Sequence, residues 1–437
     1  MNPLPKADDR TCPSGRTPPN ASADRYAWLV VGMLWTVCFL NYADRQAIFS
    51  LFPPLKHEFH LSDEQLGILG ASFMWVYAAS GPFAGWLCDR LSRKRIILGA
   101  LLFWSAITAC TAVAHSYSTL VLVRSLSGMG EAFYFPASMS ILASYHGERT
   151  RSRAMGIHQS GVYAGSIAGG VLSALIAESH GWRISFVIFG ACGIVLGLAL
   201  LACLKEPARV SPQEDAPAGD DTAKLWPNIR DVLSNRYARL LILVFIGANF
   251  VAAVFLTWLP AFLYRKFHLS LARAGFDASA YLQIASIFGV IAGGILADRL
   301  IRKLAGGRIQ TQGIGLLLGA PFLYFTGISG SIVLVLCSLA GFGLFKGMYD
   351  SNIFAALYDV IPARLRGTSV GMMNSLGWLG AGFAPLAIAS ASAHIGMSAA
   401  IGWTSVIYLA LAIGMIALSR KIDRRARAAP NPAIYPR

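Results

Sequence analysis

Long runs of residues without charge decide what this chain can become. Segments such as "LLFWSAITACTAVA" and "GIVLGLALLACL" contain no ionisable acid or base. Runs approaching 18–20 apolar residues are long enough to cross a bilayer as helix. They fall at 27–51, 64–87, 96–114, 118–144, 154–178, 184–204, 238–264, 277–300, 309–328, 331–358, 368–394 and 398–419. In hydrocarbon a lone helix can satisfy its own backbone groups. The pattern therefore predicts an all-α membrane protein with twelve transmembrane helices. Only 14% of the 437 residues are charged, against roughly 25% in soluble domains.

The formal net charge is +15, and its placement gives it meaning. Of the 37 Lys and Arg, Lys56, Arg183, Arg265, Lys266 and Arg273 follow odd-numbered spans, and Arg45, Arg124 and Lys346 lie within spans. The remaining 29 sit in the tails and after even-numbered spans. Basic loops stay on the cytosolic side, so both termini are predicted to be cytosolic. The location is the cell membrane, multi-pass, and the inner membrane if the source is a bacterium. Residues 1–25 lack the apolar core of a signal peptide and read as a disordered cytosolic tail. The expected organisation is a six-helix bundle at 26–204, a polar cytosolic linker at 205–236 with a short surface helix near 229–233, a second bundle at 237–420 and a tail at 421–437. Scattered basic loops of this kind leave no nucleic-acid partner to expect. The seven cysteines form no CxxC, and no disulfide or metal site follows.

The halves echo each other. "GWLCDRLSRKR" after span 2 matches "GILADRLIRK" after span 8, and "GMG" at 128–130 matches "GFG" at 341–343. "RSRAMG" at 151–156 matches "RLRGTSVG" at 364–371. Internal repeats of this kind mark secondary transporters, with sites where the halves meet. The Asp-Arg loop between spans 2 and 3 resembles the signature loop of the major facilitator superfamily, and the resemblance covers nearly the whole chain. Within it, "NYADRQAIFSLFPPL" in span 1 and "VRSLSGMGEAFYFPA" in span 4 resemble the anion:cation symporters, which carry sugar acids and other organic anions. They also resemble the spinster branch, which carries lysolipids and sphingolipids. "FPA" and "GWRISFVIFG" lean toward the first branch. The resemblance implies alternating access by two rocking bundles, and a monomer.

Four charges stand inside the first half: Asp44, Arg45, Arg124 and Glu131. A charge at the bilayer centre costs at least about 2.5–3.5 kcal/mol, so such residues face protein or a water-filled cavity. Arg124 and Glu131 are two helical turns apart on one face, about 10 Å along the axis. Counting from the span ends puts Arg45 and Arg124 roughly 9 Å deep and Glu131 roughly 20 Å deep. The spacing predicts an outer cluster of Asp44, Arg45 and Arg124, with Glu131 apart. With both acids ionised the four charges cancel. Protonating an acid frees an arginine for a carboxylate, which guanidinium binds in a bidentate fork. Internal salt bridges between helices are the simpler reading. The resemblance implies proton binding at Asp44 and Glu131 and anion contact at Arg45 and Arg124. It also implies substrate hydrogen bonds from Tyr42 and Tyr77, for which packing is an equal rival. His158 near the start of span 5 reads as a gate or as helix packing.

In span 10, Lys346 and Asp350 share a face at i, i+4 and can neutralise each other. A substrate or inter-half gating contact is the alternative. Asn374 and Trp378 in span 11 share a face that suits a hydroxylated ligand, with packing as the rival. Asp89, Arg90, Arg93, Arg95, Asp298 and Arg299 mark the signature loop and its echo. The resemblance implies that they lock the outward-facing state by charge contacts, and topology alone would also explain the bases. There is no phosphate loop of an ATP-driven pump and no HExxH. No enzyme and no cofactor are expected beyond a proton as coupling ion. The symmetry of two halves argues against a channel, and the short tails against a sensor. The expected function is proton-coupled symport of a small organic anion, with a lipid carrier and then a drug/proton antiporter as alternatives.

Overall fold

The computed structural model describes residues 21–146, 148–206, 225–362 and 365–428. The first half comprises α1 (Ala21–Ser50), α2 (Phe52–Phe59), α3 (Asp63–Arg90), α4 (Arg93–Thr111), α5 (Tyr117–Glu131), α6 (Tyr134–Tyr145), α7 (Glu148–His180) and α8 (Trp182–Cys203). After α9 (Leu225–Ser234), the second half comprises α10 (Arg236–Phe267), α11 (Leu271–Ile301), α12 (Gly307–Ile328), α13 (Ile332–Asp350) and α14 (Ile353–Val360). It closes with α15 (Arg366–Ala381), α16 (Ala384–Ile395) and α17 (Met397–Ala428). Among the described residues, 11 helical segments are long and apolar enough to cross a membrane. The region expected as span 4, which forms α5 and α6, is not among them. α17 continues past the apolar run to Ala428.

Three expected spans are broken, and each break has a local cause. Pro136 and Pro385 lack an N–H, and their rings clash with the carbonyl four residues earlier. Ala132 and Ala381 are those residues, and the chain leaves helix at 132–133 and 382–383. Between α13 and α14, Ser351 Oγ donates to Met348 O at 2.9 Å and Asn352 Nδ2 to Gly293 O at 3.3 Å. Such side chains compete with the helix for backbone groups. The repeat is also written in the backbone. His60 and His268, 208 positions apart, are left-handed, and so are Gly181 and Gly396, 215 positions apart.

α7 packs closely along α1. A Cβ on Gly165 would lie 2.3 Å from Phe39 O, and one on Gly169 2.2 Å from Ala43 O. Only glycine permits this approach, as in membrane helix pairs generally. It holds α1 firmly as it passes the site.

Bonds between the halves gather on the face poor in Lys and Arg, here termed outer. A capping box fixes the start of α3: Gln65 N donates to Ser62 Oγ at 3.1 Å and Ser62 N to Gln65 Oε1 at 2.9 Å. Asp63 then accepts both Arg265 guanidinium nitrogens, at 3.0 and 3.1 Å, and Lys56 Nζ at 2.5 Å. Glu178 Oε1 accepts the Ala272 N–H at 3.0 Å. A Cβ on Gly275 would stand 2.3 Å from Gly170 O, with Ser50 Oγ at 3.2 Å. On the basic face, Arg93 Nη1 donates to Ser144 Oγ at 2.8 Å and Arg308 pairs with Asp359 at 2.6 Å, each within one half.

The α2–α3 side of this face is pinned separately. Trp182 Nε1 donates to Glu58 Oε2 at 2.5 Å, and Arg183 Nη1 pairs with Glu58 Oε1 at 2.6 Å. Burial alone would raise the Glu58 pKa. The bonds from Trp182 and Arg183 and the charge of Arg183 outweigh it and hold the carboxyl below its ordinary value.

Two outcomes follow. In a background without native cysteines, Ser50→Cys is protected from an impermeant maleimide while the outer face is latched. Adding Asp63→Asn removes a half-exposed pair of at most about 1 kcal/mol, so labelling quickens up to about fivefold; unchanged labelling would show that the pair is not the latch. Wild type melts above Glu58→Gln at pH 7. A lowered folded-state pKa means that this advantage is lost as pH falls through it, and thermal melts across acidic pH check the convergence.

Candidate functional site

Arg45 on α1 and Glu131 at the end of α5 form a buried ion pair, Nε to Oε2 at 2.6 Å. Their sequence depths predicted a gap of about 11 Å, two helical turns, and the structure closes it. Side chains in a helix lean toward its N-terminus. α1 and α5 run in opposite directions, so the two side chains lean toward each other. The Arg124 guanidinium stays level with the Arg45 backbone, where Nη2 donates to Arg45 O at 3.1 Å. The outer trio is therefore not formed. Asp44 lies against Trp104 and Thr108 of α4, and no basic group is within ion-pair distance of it among the described residues.

Aromatic faces surround the arginines. The Arg45 guanidinium carbon stands 4.6 Å from the Tyr77 ring centre, 4.7 Å from Tyr42, 5.0 Å from Phe73 and 5.2 Å from Trp378. Arg124 lies 4.3 Å from Phe73 and 5.5 Å from Phe49. Each such contact contributes about 0.5–2 kcal/mol when desolvated. Trp378 belongs to the second half, so it covers Arg45 from across the interface and meets Tyr77 at 5.1 Å.

The packing is tight but polar capacity is left over. Arg45 Nη1, Arg124 Nε, Glu131 Oε1 and Asp44 Oδ1 are buried and have no hydrogen-bond partner. Arg45, Arg124, Tyr42, Gln46, Ser166 and Trp378 are among the walls of a cavity of ≈ 30 Å³. That holds a water molecule or two, and a larger ligand requires the halves to part. Unsatisfied buried donors cost about 1–3 kcal/mol each, more when charged, and fit a site made for something else to fill.

The structure gathers Tyr42, Arg45, Tyr77, Arg124, Glu131 and Trp378 into one cluster. It leaves Asn374 half-buried one turn before Trp378 and outside the cavity wall. Lys346 Nζ pairs with Asp350 Oδ2 on α13, and Tyr163 of the first half lies within electrostatic range of both. His158 Nε2 stands 2.7 Å from the Tyr134 hydroxyl, which donates to Leu34 O at 2.6 Å. Tyr134 has one proton to give, so Nε2 carries the imidazole proton and Nδ1 is the unpartnered acceptor. This is a packing bridge among α1, α6 and α7. Arg90 lies 4.0 Å from the Trp86 ring centre. Arg95, Asp298 and Arg299 are exposed on the basic face. The Asp89 side chain is outside the described residues. Glu206 accepts from Ser92 Oγ and from the Arg93 and Lys94 N–H groups at the start of α4.

Sequence reasoning missed Gln46, Ser166 and Leu256. Gln46 Nε2 donates to Leu256 O at 3.1 Å across the halves. A polar residue directly after Asp44-Arg45 was a usable signal. Leu256, which acts through its backbone carbonyl, carried none.

The model of the Major Facilitator Superfamily matches residues 34–385. The chain is 29% identical over 380 residues to the probable galactarate/D-glucarate transporter GudP of Bacillus subtilis (strain 168), covering 80% of this chain and 82% of that one. It is 26% identical over 430 residues to the D-galactonate transporter of Escherichia coli O6:H1, covering 92% and 98%. An MFS-type efflux pump of Mycolicibacterium smegmatis is 32% identical over 283 residues, 64% of each chain. Among solved structures, a bacterial homolog to the human lysosomal transporter Spinster, inward-facing and unoccupied, superposes with a TM-score of 0.75. It is 22% identical and covers 93% of this chain and 99% of its own, so the likeness concerns the fold. With the matched model spanning most of its length, the chain belongs to the Major Facilitator Superfamily and is a multi-pass membrane protein.

Proposed function

We infer that the protein carries a small organic anion, a sugar acid or similar carboxylate, together with protons by alternating access. One observation carries the reading. Two buried guanidinium groups, Arg45 and Arg124, wall the same cavity and each has an N–H without a partner. Only one of them, Arg45, is matched by a carboxylate within ion-pair distance among the described residues.

Charge drives the coupling. While Glu131 is ionised it occupies Arg45, and a second anion would be repelled. Protonated Glu131 releases Arg45, which with Arg124 presents two positive forks to a carboxylate. The bound anion in turn favours neutral Glu131. Proton and anion raise each other's affinity by the same factor, as linkage requires. Asp44, turned toward Trp104, is the second acid available to a proton. Tyr42 and Tyr77 stack their rings on the guanidinium, and their hydroxyls suit hydrogen bonds to a sugar acid. The named sugar-acid transporters among the relatives support this substrate class. So does the probable sulfoacetate transporter of Cupriavidus necator, since a sulfonate presents similar chemistry.

Uptake into proteoliposomes under an imposed pH gradient tests the reading, screened over galactarate, glucarate, galactonate, sulfoacetate and lysolipids. The expected result is accumulation of an organic acid that a protonophore abolishes. Glu131→Gln should cut gradient-driven accumulation about tenfold or more while exchange of internal for external anion persists. Full proton-driven accumulation by Glu131→Gln removes the residue from the coupling, and uptake of lysolipid alone overturns the anion reading.

A further inference from the structure

A second cavity lies on the outer face between the halves, well away from the buried arginines. It measures ≈ 260 Å³ and is walled by Asp63, Phe262, Arg265, Lys266, Ser392 and Ser398, with Met397 beside them. That approaches the lower bound of about 300 Å³ for small-ligand sites. Its charge is unbalanced. Asp63 is the acid in the wall, and Arg265 and Lys56 already share it. The nearby Glu58 is engaged by Arg183 and Trp182, and Glu178 by the Ala272 N–H. Lys266 is left with a carbonyl: its Nζ donates to Gly327 O at 2.8 Å. Its ammonium also faces the Phe262 ring at 4.8 Å. A carbonyl and a ring orient a cation without neutralising it. Arg265 and Lys56 thus share Asp63, and Lys266, in the same wall, has no acid within ion-pair distance among the described residues.

We propose that this cavity is an entry site for the external organic anion, which docks on Lys266 and Arg265 and unlatches the gate by displacing Asp63 from Arg265. The proposal rests on the anion-transport reading above. Lys266 and Arg265 line the same cavity, so the second carboxylate of a dicarboxylate docked on Lys266 competes for the fork that Asp63 holds. Ser392 and Ser398 offer hydroxyls to a polyhydroxylated chain. A hydroxylated dicarboxylate suits the wall better than a monocarboxylate, because two cations are in reach. A cationic mouth also raises the encounter rate with anions. The site therefore serves selection and gate opening, whereas Arg45 and Arg124 serve coupling.

Lys266 also touches the last turn of α12, where a cation stabilises helix carbonyls, so the test must separate docking from capping. Initial rates of radiolabelled galactarate transport are measured in right-side-out and inside-out membrane vesicles. Lys266→Gln is expected to raise KM about five- to tenfold in right-side-out vesicles with kcat within about twofold, and to leave the inside-out KM unchanged. Lys266→Arg should restore it. External galactarate should also speed maleimide labelling of Ser50→Cys, and Lys266→Gln should abolish that response. An unchanged right-side-out KM with only a lower Tm would make Lys266 a cap and overturn the site. An equal rise of KM in both orientations would overturn it as well, by assigning the effect to the shared central site. Loss of the labelling response alone in the wild type would overturn the unlatching. If the wild type carries no organic anion, the functional reading fails and the entry site falls with it.

Discussion

The structure turns on a single ion pair placed where lipid and protein offer little else to satisfy it. Arg45 and Glu131 are both nearly inaccessible, and each keeps one polar atom unpartnered. Removing one member of a buried pair costs about 3–5 kcal/mol, because the other charge is then stranded. In the proposed coupling, that cost makes the pair a switch. Neutralising Glu131 strands Arg45 unless an anion arrives, and four aromatic faces hold Arg45 in place meanwhile. The helices serve this geometry. α1 is held against α7 by a glycine seam, and α5 ends at Glu131, immediately before the break at 132–133.

The site and the outer gate are separate in space and similar in chemistry. In both, an acid from the first half engages an arginine: Glu131 with Arg45, and Asp63 with Arg265 across the seam. Trp378 and Gln46 link the halves at the level of the central cavity, which is too small for more than water. In the proposed alternating access, the halves part on the basic side while the outer bonds are made. Losing the outer bonds and making new ones on the basic face would reverse the access. Arg90, Arg93 and Arg95 stand on that face, and the bond of Arg93 to Ser144 stays within its own half.

The fold was legible because hydrocarbon permits so few structures. Charge-poor runs, basic loops and echoes such as "DRL" after spans 2 and 8 each follow from a rule that needs no tertiary information. The breaks were not read, although Pro136 and Pro385 were visible and their effect is local. The charged residues of the site were legible as anomalies, but their pairing was not. Counting residues gives the depth of a Cα, while an arginine acts several ångströms from its own Cα, in a direction set by helix polarity. Asp44 was grouped with its sequence neighbour Arg45, and the structure turns it toward α4 instead, since adjacent residues on a helix face about 100° apart. Lys346 and Asp350 behave as the i, i+4 spacing dictates. The Arg265–Asp63 latch was invisible, because it joins residues 202 positions apart.

The central claim is that anion binding and protonation are one event, and proton counting measures it most directly. The purified protein in weakly buffered detergent is mixed with a saturating amount of the organic anion that it carries, and a pH indicator reports the protons taken up. The account expects uptake of about one proton per bound anion near neutral pH, lost in Glu131→Gln. Anion binding without any proton uptake would contradict it.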